Sequence, residues 1–211
     1  MQQLKEENKM NRKWKLRDVI MIAILGVVFA IIYLAVCYIG DACCIALAPF
    51  GLSELGYEPI YGVWFMAATL AAFIIQKPGV AIVAELLAAI IEMLLGNSGC
   101  INVVLTGIIQ GAGVELAFAM FRYKKWNLGT MSLGAALSAV FIYIYELWYL
   151  TYYMLPISIQ ALHIVMRLAS AVVFCGVVCW LACSLLARTG VVKSYAIGSK
   201  IKGATVYDEE D

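Results

Sequence analysis

Six long apolar segments occupy most of the chain, and they limit its fold more than any other feature. They run from Val19 to Ile39, Pro59 to Ile75, Val80 to Leu95, Ile101 to Phe121, Leu128 to Tyr153 and Ile159 to Ala187. A helix needs about 20 apolar residues to cross the hydrocarbon core of a bilayer. Because 64% of the residues are hydrophobic and only 14% are charged, a water-soluble globular domain is excluded. The sequence therefore predicts an all-α integral membrane protein with a bundle of six transmembrane helices.

The basic residues lie at alternate ends of these segments. Lys and Arg residues precede the first segment, follow the last, and occur in the connections at Lys77 and at residues 122–125. The other connections contain no Lys or Arg; they are residues 40–58, 96–100 and 154–158. Since basic connections remain in the cytoplasm, both termini are predicted to be cytoplasmic. The protein is then a multi-pass component of a bacterial cell membrane.

This topology divides the chain into three parts. Residues 1–18 are predicted to form a basic cytoplasmic segment, residues 19–187 the membrane domain, and residues 188–211 a cytoplasmic tail. Residues 40–58 are predicted to be the longest outer connection. The connection is apolar for a solvated loop, so it forms either a lid over the bundle or a segment lying on the lipid headgroups.

Several carboxylates lie within or at the edge of the apolar segments. They are Glu58, Glu85, Glu92 and Glu115. An acidic side chain at this depth is costly unless it faces a partner or a polar cavity, so each is a candidate functional residue. Glu85 and Glu92 are seven residues apart and share a helix face. Glu115 is nearer the inner side and is predicted to have a structural or coupling role.

Further polar and aromatic residues are predicted to line the outer halves of the helices. Helical spacing places Glu58, Tyr61 and Phe65 on one face, and Asn102, Thr106 and Gln110 on another. The candidate ligand-binding residues are Glu58, Tyr61, Trp64, Phe65, Glu85, Glu92, Asn102, Thr106, Gln110, Glu146, Tyr149 and His163. Arg167 most simply neutralises one of the glutamates.

These side chains predict the chemistry of the ligand. Acids outnumber bases among them, and aromatic rings are abundant. A small, flat, cationic aromatic solute would stack on the rings and pair with the carboxylates. A phosphate ester would find only Arg167 as a basic partner. No metal site is predicted, since the seven Cys residues show no ligand spacing backed by His. No cofactor and no nucleic-acid partner are predicted either.

Two further predictions concern contacts of the first and outer segments. Gly26 and Ala30 form a small-xxx-small pair, which we expect to face outward as a docking groove for a membrane partner; internal packing is the alternative. Either Cys43 or Cys44 could form an outer disulfide with Cys100, and the sequence does not decide this.

Several linked motifs resemble one family of transporter subunits. They are Trp64-Phe65-Met66-Ala67, Thr69-Leu70-Ala71, Lys77-Pro78-Gly79, Ala84-Glu85-Leu86-Leu87-Ala88, Glu92, Gln110-Gly111, Glu115 and Phe121-Arg122-Tyr123. Over roughly residues 14–190 the chain resembles the YkoE family, the substrate-binding S components of energy-coupling factor (ECF) transporters. The resemblance implies a six-helix bundle that binds thiamine or its hydroxymethylpyrimidine precursor on the outer side. It also implies that a membrane T component and two ATPases on other chains drive release inward.

Two other classes of function are weighed against this one. An autonomous secondary carrier could use Glu85 or Glu92 to carry a coupling proton, although the sequence shows no inverted repeat or broken helix. Uptake that survives removal of partner ATPases would favour that class. An enzyme is not expected, because the sequence contains no HExxH or GxSxG motif.

Overall fold

A computed structural model describes residues 13–97, 99 and 101–200, with only the backbone of residues 199 and 200. Most of the predicted segment 1–18 and the end of the predicted tail lie outside the described residues. Every regular element in the described part is helical. The α-helices are α1 Leu16–Leu47, α2 Met66–Ile75, α3 Val80–Leu94, α4 Ile101–Met120, α5 Leu128–Tyr149, α6 Ile157–Ala171, α7 Cys179–Arg188 and α8 Ala196–Lys200. The other helical segments are the 3-10 helices Ala48–Phe50, Ser53–Phe65 and Tyr152–Met154 and the π-helix Val172–Val178.

These elements build a bundle of six rods within the described residues. The 3-10 helix Ser53–Phe65 continues into α2, and α6 continues through the π-helix into α7. The rods that are long and apolar enough to cross a membrane are Leu16–Phe50, Ser53–Ile75, Ile101–Met120, Leu128–Tyr149 and Ile157–Arg188. The remaining rod, α3, has 15 residues and is about 22 Å long at 1.5 Å per residue. The predicted six-helix membrane bundle is therefore confirmed, with α3 as its short member.

Helix α1 extends further outward than predicted. It ends at Leu47 rather than near Ile39, so the prediction of a long loop over residues 40–58 is wrong. Gly40 lies inside the helix. Because it has no side chain, the ring of Tyr57 can occupy the space where a Cβ atom would lie. Between Gly40 and Pro49 no Gly or Pro interrupts the helix.

The small residues of α1 face the interior of the bundle. Ala30 is completely buried, and a Cβ atom at Gly26 would lie 3.0 Å from Cγ of Leu87 on α3. The prediction of an outward docking groove at Gly26 and Ala30 is therefore wrong. Their small size instead allows α1 and α3 to pack closely.

Glycines on α4 have the same packing role. A Cβ atom at Gly111 would lie 2.8 Å from Cα of Ile82, and one at Gly113 would lie 2.5 Å from Cα of Ser138. Helix α4 therefore packs against the backbones of α3 and α5, as close helix contacts require.

Buried polar contacts fix the basic end of the bundle. Nζ of Lys77 lies 2.5 Å from Oδ2 of Asp18 and donates to the carbonyl oxygen of Lys13 at 2.7 Å. The hydroxyl of Tyr195 donates to the carbonyl oxygen of Arg17 at 2.8 Å. The segments before α1 and after α7 thus meet at the same end, which agrees with the predicted cytoplasmic location of both.

Glu115 caps the first turn of α3 from the neighbouring helix. Its carboxylate accepts hydrogen bonds from the backbone N–H groups of Gly79 at 2.6 Å and Ala81 at 3.0 Å. It also accepts one from the hydroxyl of Tyr123 at 2.6 Å. These bonds satisfy N–H groups that a helix start leaves without partners, which confirms the structural role predicted for Glu115.

Candidate ligand-binding site

A cavity of about 270 Å³ lies at the end of the bundle opposite to Lys77. Its walls come from α1, the 3-10 helix Ser53–Phe65, α3, α4, α5 and α6. The carboxylates that line it are Glu58, Glu85, Glu92 and Glu146, and the rings are Tyr33, Tyr57, Tyr61, Trp64 and Tyr152. Arg167 is the one basic side chain among the described residues of the lining.

The 3-10 helix sets which of its side chains face the cavity. With three residues per turn, side chains at i, i+3 and i+6 lie above one another. Glu58, Tyr61 and Trp64 have this spacing and line the cavity together. Phe65 is fully buried in an apolar cluster that includes Ala135 and Ile142 of α5, and it does not line the cavity. The prediction that Phe65 shares the face of Glu58 and Tyr61 is therefore wrong, because it assumed 3.6 residues per turn.

Three tyrosine rings surround the indole of Trp64. The ring centroids of Tyr33, Tyr57 and Tyr61 lie 6.3, 6.0 and 5.7 Å from that of Trp64. All three pairs are tilted rather than stacked face to face. Electron-rich faces grouped in this way attract flat cations, and quaternary ammonium groups in particular.

Two carboxylates beside these rings have only uncharged donors as neighbours. Glu85 accepts hydrogen bonds from the backbone N–H of Ala68 at 2.9 Å and from the hydroxyl of Tyr33 at 3.3 Å. Glu92 accepts one from Nδ2 of Asn97 at 2.7 Å, with Nε1 of Trp64 at 3.5 Å. Within the described part of the chain neither has a Lys, Arg or His at salt-bridge distance. Their side of the cavity is therefore acidic.

The other two carboxylates are held by Arg167. Its Nε donates to Oε2 of Glu58 at 2.8 Å, its second terminal nitrogen donates to Oε1 of Glu58, and its first donates to Oε2 of Glu146. Nδ1 of His163 lies 2.8 Å from Oε1 of Glu58. The guanidinium carbon is 3.8 Å from the centroid of the Tyr61 ring. This network ties the 3-10 helix, α5 and α6 together.

Comparison with known proteins places the chain in a transporter family. Residues 17–141 match a family described as the permease component of an ABC-type cobalt transport system. The chain is 34% identical over 191 residues to YkoE of Bacillus subtilis (strain 168), whose name proposes an HMP/thiamine permease; the match covers 90% of this chain and 94% of that protein. A crystal structure described as an S-component of an ECF transporter matches with a TM-score of 0.85 and 34% identity, over 90% of this chain and 94% of the other. The chain belongs to the YkoE family of ECF-transporter S components. It is thus a multi-pass protein of the cell membrane.

Most of the predicted ligand-binding residues of this S component line the cavity. They are Glu58, Tyr61, Trp64, Glu85, Glu92, Thr106, Gln110 and Glu146. Besides Phe65, three predicted residues do not line it. His163 is fully buried behind Glu58. Asn102 donates a hydrogen bond to the hydroxyl of Tyr149 at a partly exposed position beside the cavity.

The first helix of the S component contributes residues that sequence reasoning missed. Tyr33 and Cys37 line the cavity from α1, and Tyr57 and Asn97 line it near its outer end. Tyr33 and Cys37 are four residues apart and share a helix face. A tyrosine inside a charge-free membrane segment was the available signal, because a buried hydroxyl requires a hydrogen-bond partner.

The described cysteines of the S component do not belong to a metal-binding cluster. No group of three or more His, Cys, Asp or Glu side chains within the described residues could hold a metal ion. Cys43 and Cys44 are free thiols in the structure, and Cys100 lies outside the described residues. Cys175, Cys179 and Cys183 are completely buried and pack inside the bundle.

Proposed function

We propose that the chain is the substrate-binding subunit of an ATP-driven vitamin uptake transporter and that its ligand is thiamine. Hydroxymethylpyrimidine is the second candidate. The observation that carries the proposal is the cavity, in which Trp64 and the tyrosine rings around it lie beside Glu85 and Glu92. The name of the Bacillus subtilis relative supports the same two ligands.

The charge of the cavity favours thiamine over its pyrimidine half. Thiamine contains a thiazolium ring, which is a flat, permanent cation, whereas hydroxymethylpyrimidine is uncharged near neutral pH. A permanent cation interacts with ring faces and with carboxylates that lack a basic partner. The pyrimidine ring would use the stacking surface and the amide of Gln110, which also lines the cavity.

Calorimetric titration of the purified protein with three ligands tests the proposal. We expect thiamine to bind most tightly and hydroxymethylpyrimidine more weakly. Thiamine pyrophosphate should bind more weakly than thiamine, because its phosphates would approach Glu85 and Glu92. Tighter binding of the pyrophosphate would contradict the charge argument.

The transport partners belong to the same proposal. The sequence contains no GxxxxGKS or GxxxxGKT motif, so ATP would have to be hydrolysed by other chains. A membrane T component and two ATPase subunits are the partners that the family implies. We expect thiamine uptake by cells to require these subunits, and uptake that persists without the ATPases would favour an autonomous carrier instead.

A further inference from the structure

His163 is the only histidine of the chain, and it lies behind the wall of the cavity rather than in it. Its ring is fully buried, and Nδ1 lies 2.8 Å from Oε1 of Glu58. An ionised carboxylate can only accept a hydrogen bond, so Nδ1 carries a proton. Nε2 is buried and has no hydrogen-bond partner among the described residues. It can therefore take up a second proton without breaking an existing hydrogen bond to them.

The charged groups around His163 have an excess of negative charge, which one additional positive charge would balance. Glu58 faces it from the 3-10 helix, and the Tyr143 and Tyr152 rings lie 6.4 and 4.7 Å from the imidazole. On α6 itself Arg167 binds both Glu58 and Glu146. Two carboxylates thus share one guanidinium, and protonation of the imidazole would balance the charges.

We propose that His163 is a positioning residue that binds a proton in competition with the cationic ligand. The proposal rests on the proposed function, because it requires a ligand with a positive charge. Glu58, Glu146 and Arg167 line the cavity, so a proton on His163 reduces the negative potential that the ligand experiences through Glu58. Acidification therefore weakens ligand binding, and ligand binding releases a proton from His163.

The first test measures thiamine affinity between pH 8 and pH 5.5 in three forms of the full chain. In the wild type we expect affinity to fall about fivefold or more as the pH is lowered, in the usual range for coupled sites. His163→Gln replaces the imidazole with a polar amide that does not titrate, so its profile should be flatter by that factor. Ser184→Ala on α7, which alters an exposed hydroxyl remote from the cavity, should keep the wild-type profile.

The comparison isolates His163 from other titrating groups. Glu85, Glu92 and the pyrimidine of thiamine are present in all three experiments, so only the difference between profiles is attributed to the histidine. Equal profiles for wild type and His163→Gln would overturn the proposal.

A second test needs no variant, and so it does not depend on whether His163→Gln folds. The chain has one histidine, so a protein purified with a histidine-free affinity tag gives one set of imidazole NMR signals. At a pH where the NMR signals show the ring of the free protein to be partly protonated, thiamine should convert the ring toward its neutral form. An unchanged ring in the saturated protein would overturn the proposal.

The NMR experiment also separates this proposal from the proposed function. If thiamine does not bind at any pH, the proposed ligand is wrong, and the pH titration of the free protein decides about His163. A ring that titrates between pH 5 and pH 8 supports the proton site. A ring that remains in one protonation state throughout that range overturns it.

Discussion

The four carboxylates of the cavity differ in their partners, and this difference decides what each can do for a ligand. Arg167 forms salt bridges with both Glu58 and Glu146, so these two mainly fix the wall. Glu85 and Glu92 accept hydrogen bonds from uncharged donors, and no basic side chain of the described residues lies at salt-bridge distance from either. The presence of all four carboxylates in or beside apolar segments could be predicted from the sequence. The pairing of Glu58 with Arg167 could not, because these residues are 109 positions apart.

The role of Glu85 can be tested by removing its charge while keeping its hydrogen bonds. The amide oxygen of Glu85→Gln can still accept from Ala68 and Tyr33, so the fold should be retained. We expect thiamine binding to weaken by about 1–3 kcal/mol, as for loss of a charge-assisted hydrogen bond. Trp64→Ala should cost a similar amount through the lost stacking and cation–π contacts. Calorimetry provides the measurement.

Glu115→Gln is the matched control for this experiment. It makes the same chemical change to a buried glutamate at the opposite end of the bundle, outside the cavity. Its affinity for thiamine should remain close to that of the wild type. A loss equal to that of Glu85→Gln would mean that the site is misplaced.

At the scale of elements, the 3-10 helix Ser53–Phe65 is the least ordinary part of the bundle. Runs of 3-10 helix longer than three or four residues are uncommon, and this one has 13 residues. Pro59 disfavours an α-helix, since it lacks an N–H and would clash with the preceding turn. Pro59 can be read from the sequence, but the contacts with neighbouring helices that stabilise the tighter 3-10 helix cannot. The prediction therefore assumed the period of an α-helix and placed Phe65 on the wrong face.

Contact at Gly62 holds this 3-10 helix against α6. Its N–H donates to Oγ of Ser170 at 2.9 Å, and a Cβ atom there would clash with the carbonyl oxygen of Ser170. We therefore expect Gly62→Ala to lower the stability of the protein by about 1–3 kcal/mol or more, as overpacking does. Thermal unfolding in detergent measures the change.

The control for Gly62 is a glycine with space around it. A Cβ atom at Gly129 would be in ordinary contact, 3.4 Å from Oδ1 of Asn127. Gly129→Ala in the first turn of α5 should thus leave the melting temperature unchanged or raise it slightly. If both variants have the same melting temperature, the close approach at Gly62 is not a constraint on the fold.

At the scale of the whole molecule, the two ends of the bundle have separate tasks. The cavity occupies one end, and the buried pair Lys77 and Asp18 fixes the other. The alternation of basic connections was enough to predict which ends of the helices lie together. It could not predict that α1 contributes Tyr33 to the cavity, because this depends on which face of α1 packs inward.

This separation predicts that stability and binding can be changed independently. Lys77 and Asp18 are 6% and 1% exposed, so Asp18→Ala leaves a buried ammonium without its partner and should cost about 3–5 kcal/mol of stability. Asp18→Ala combined with Lys77→Met should be less destabilised than Asp18→Ala alone. The folded fraction of each variant should bind thiamine with wild-type affinity, which titration after a thermal-shift measurement would show. Parallel losses of stability and affinity would contradict the separation.

The π-helix Val172–Val178 constrains the length of the chain at this point. Along the last rod a buried residue recurs at every fourth position: His163, Arg167, Ala171, Cys175, Cys179, Cys183 and Ala187. In an α-helix each step of four residues drifts by about 40° around the axis, so six steps would carry the row to the far side of the rod. A π-helix has more residues in each turn, since its hydrogen bonds span five residues, and it reduces this drift. Removing one residue between positions 172 and 178 would therefore rotate the half of the rod that borders the cavity out of phase with its inner half. The side chains of Val173 and Val177 are exposed, so they can be exchanged for other apolar residues without that effect.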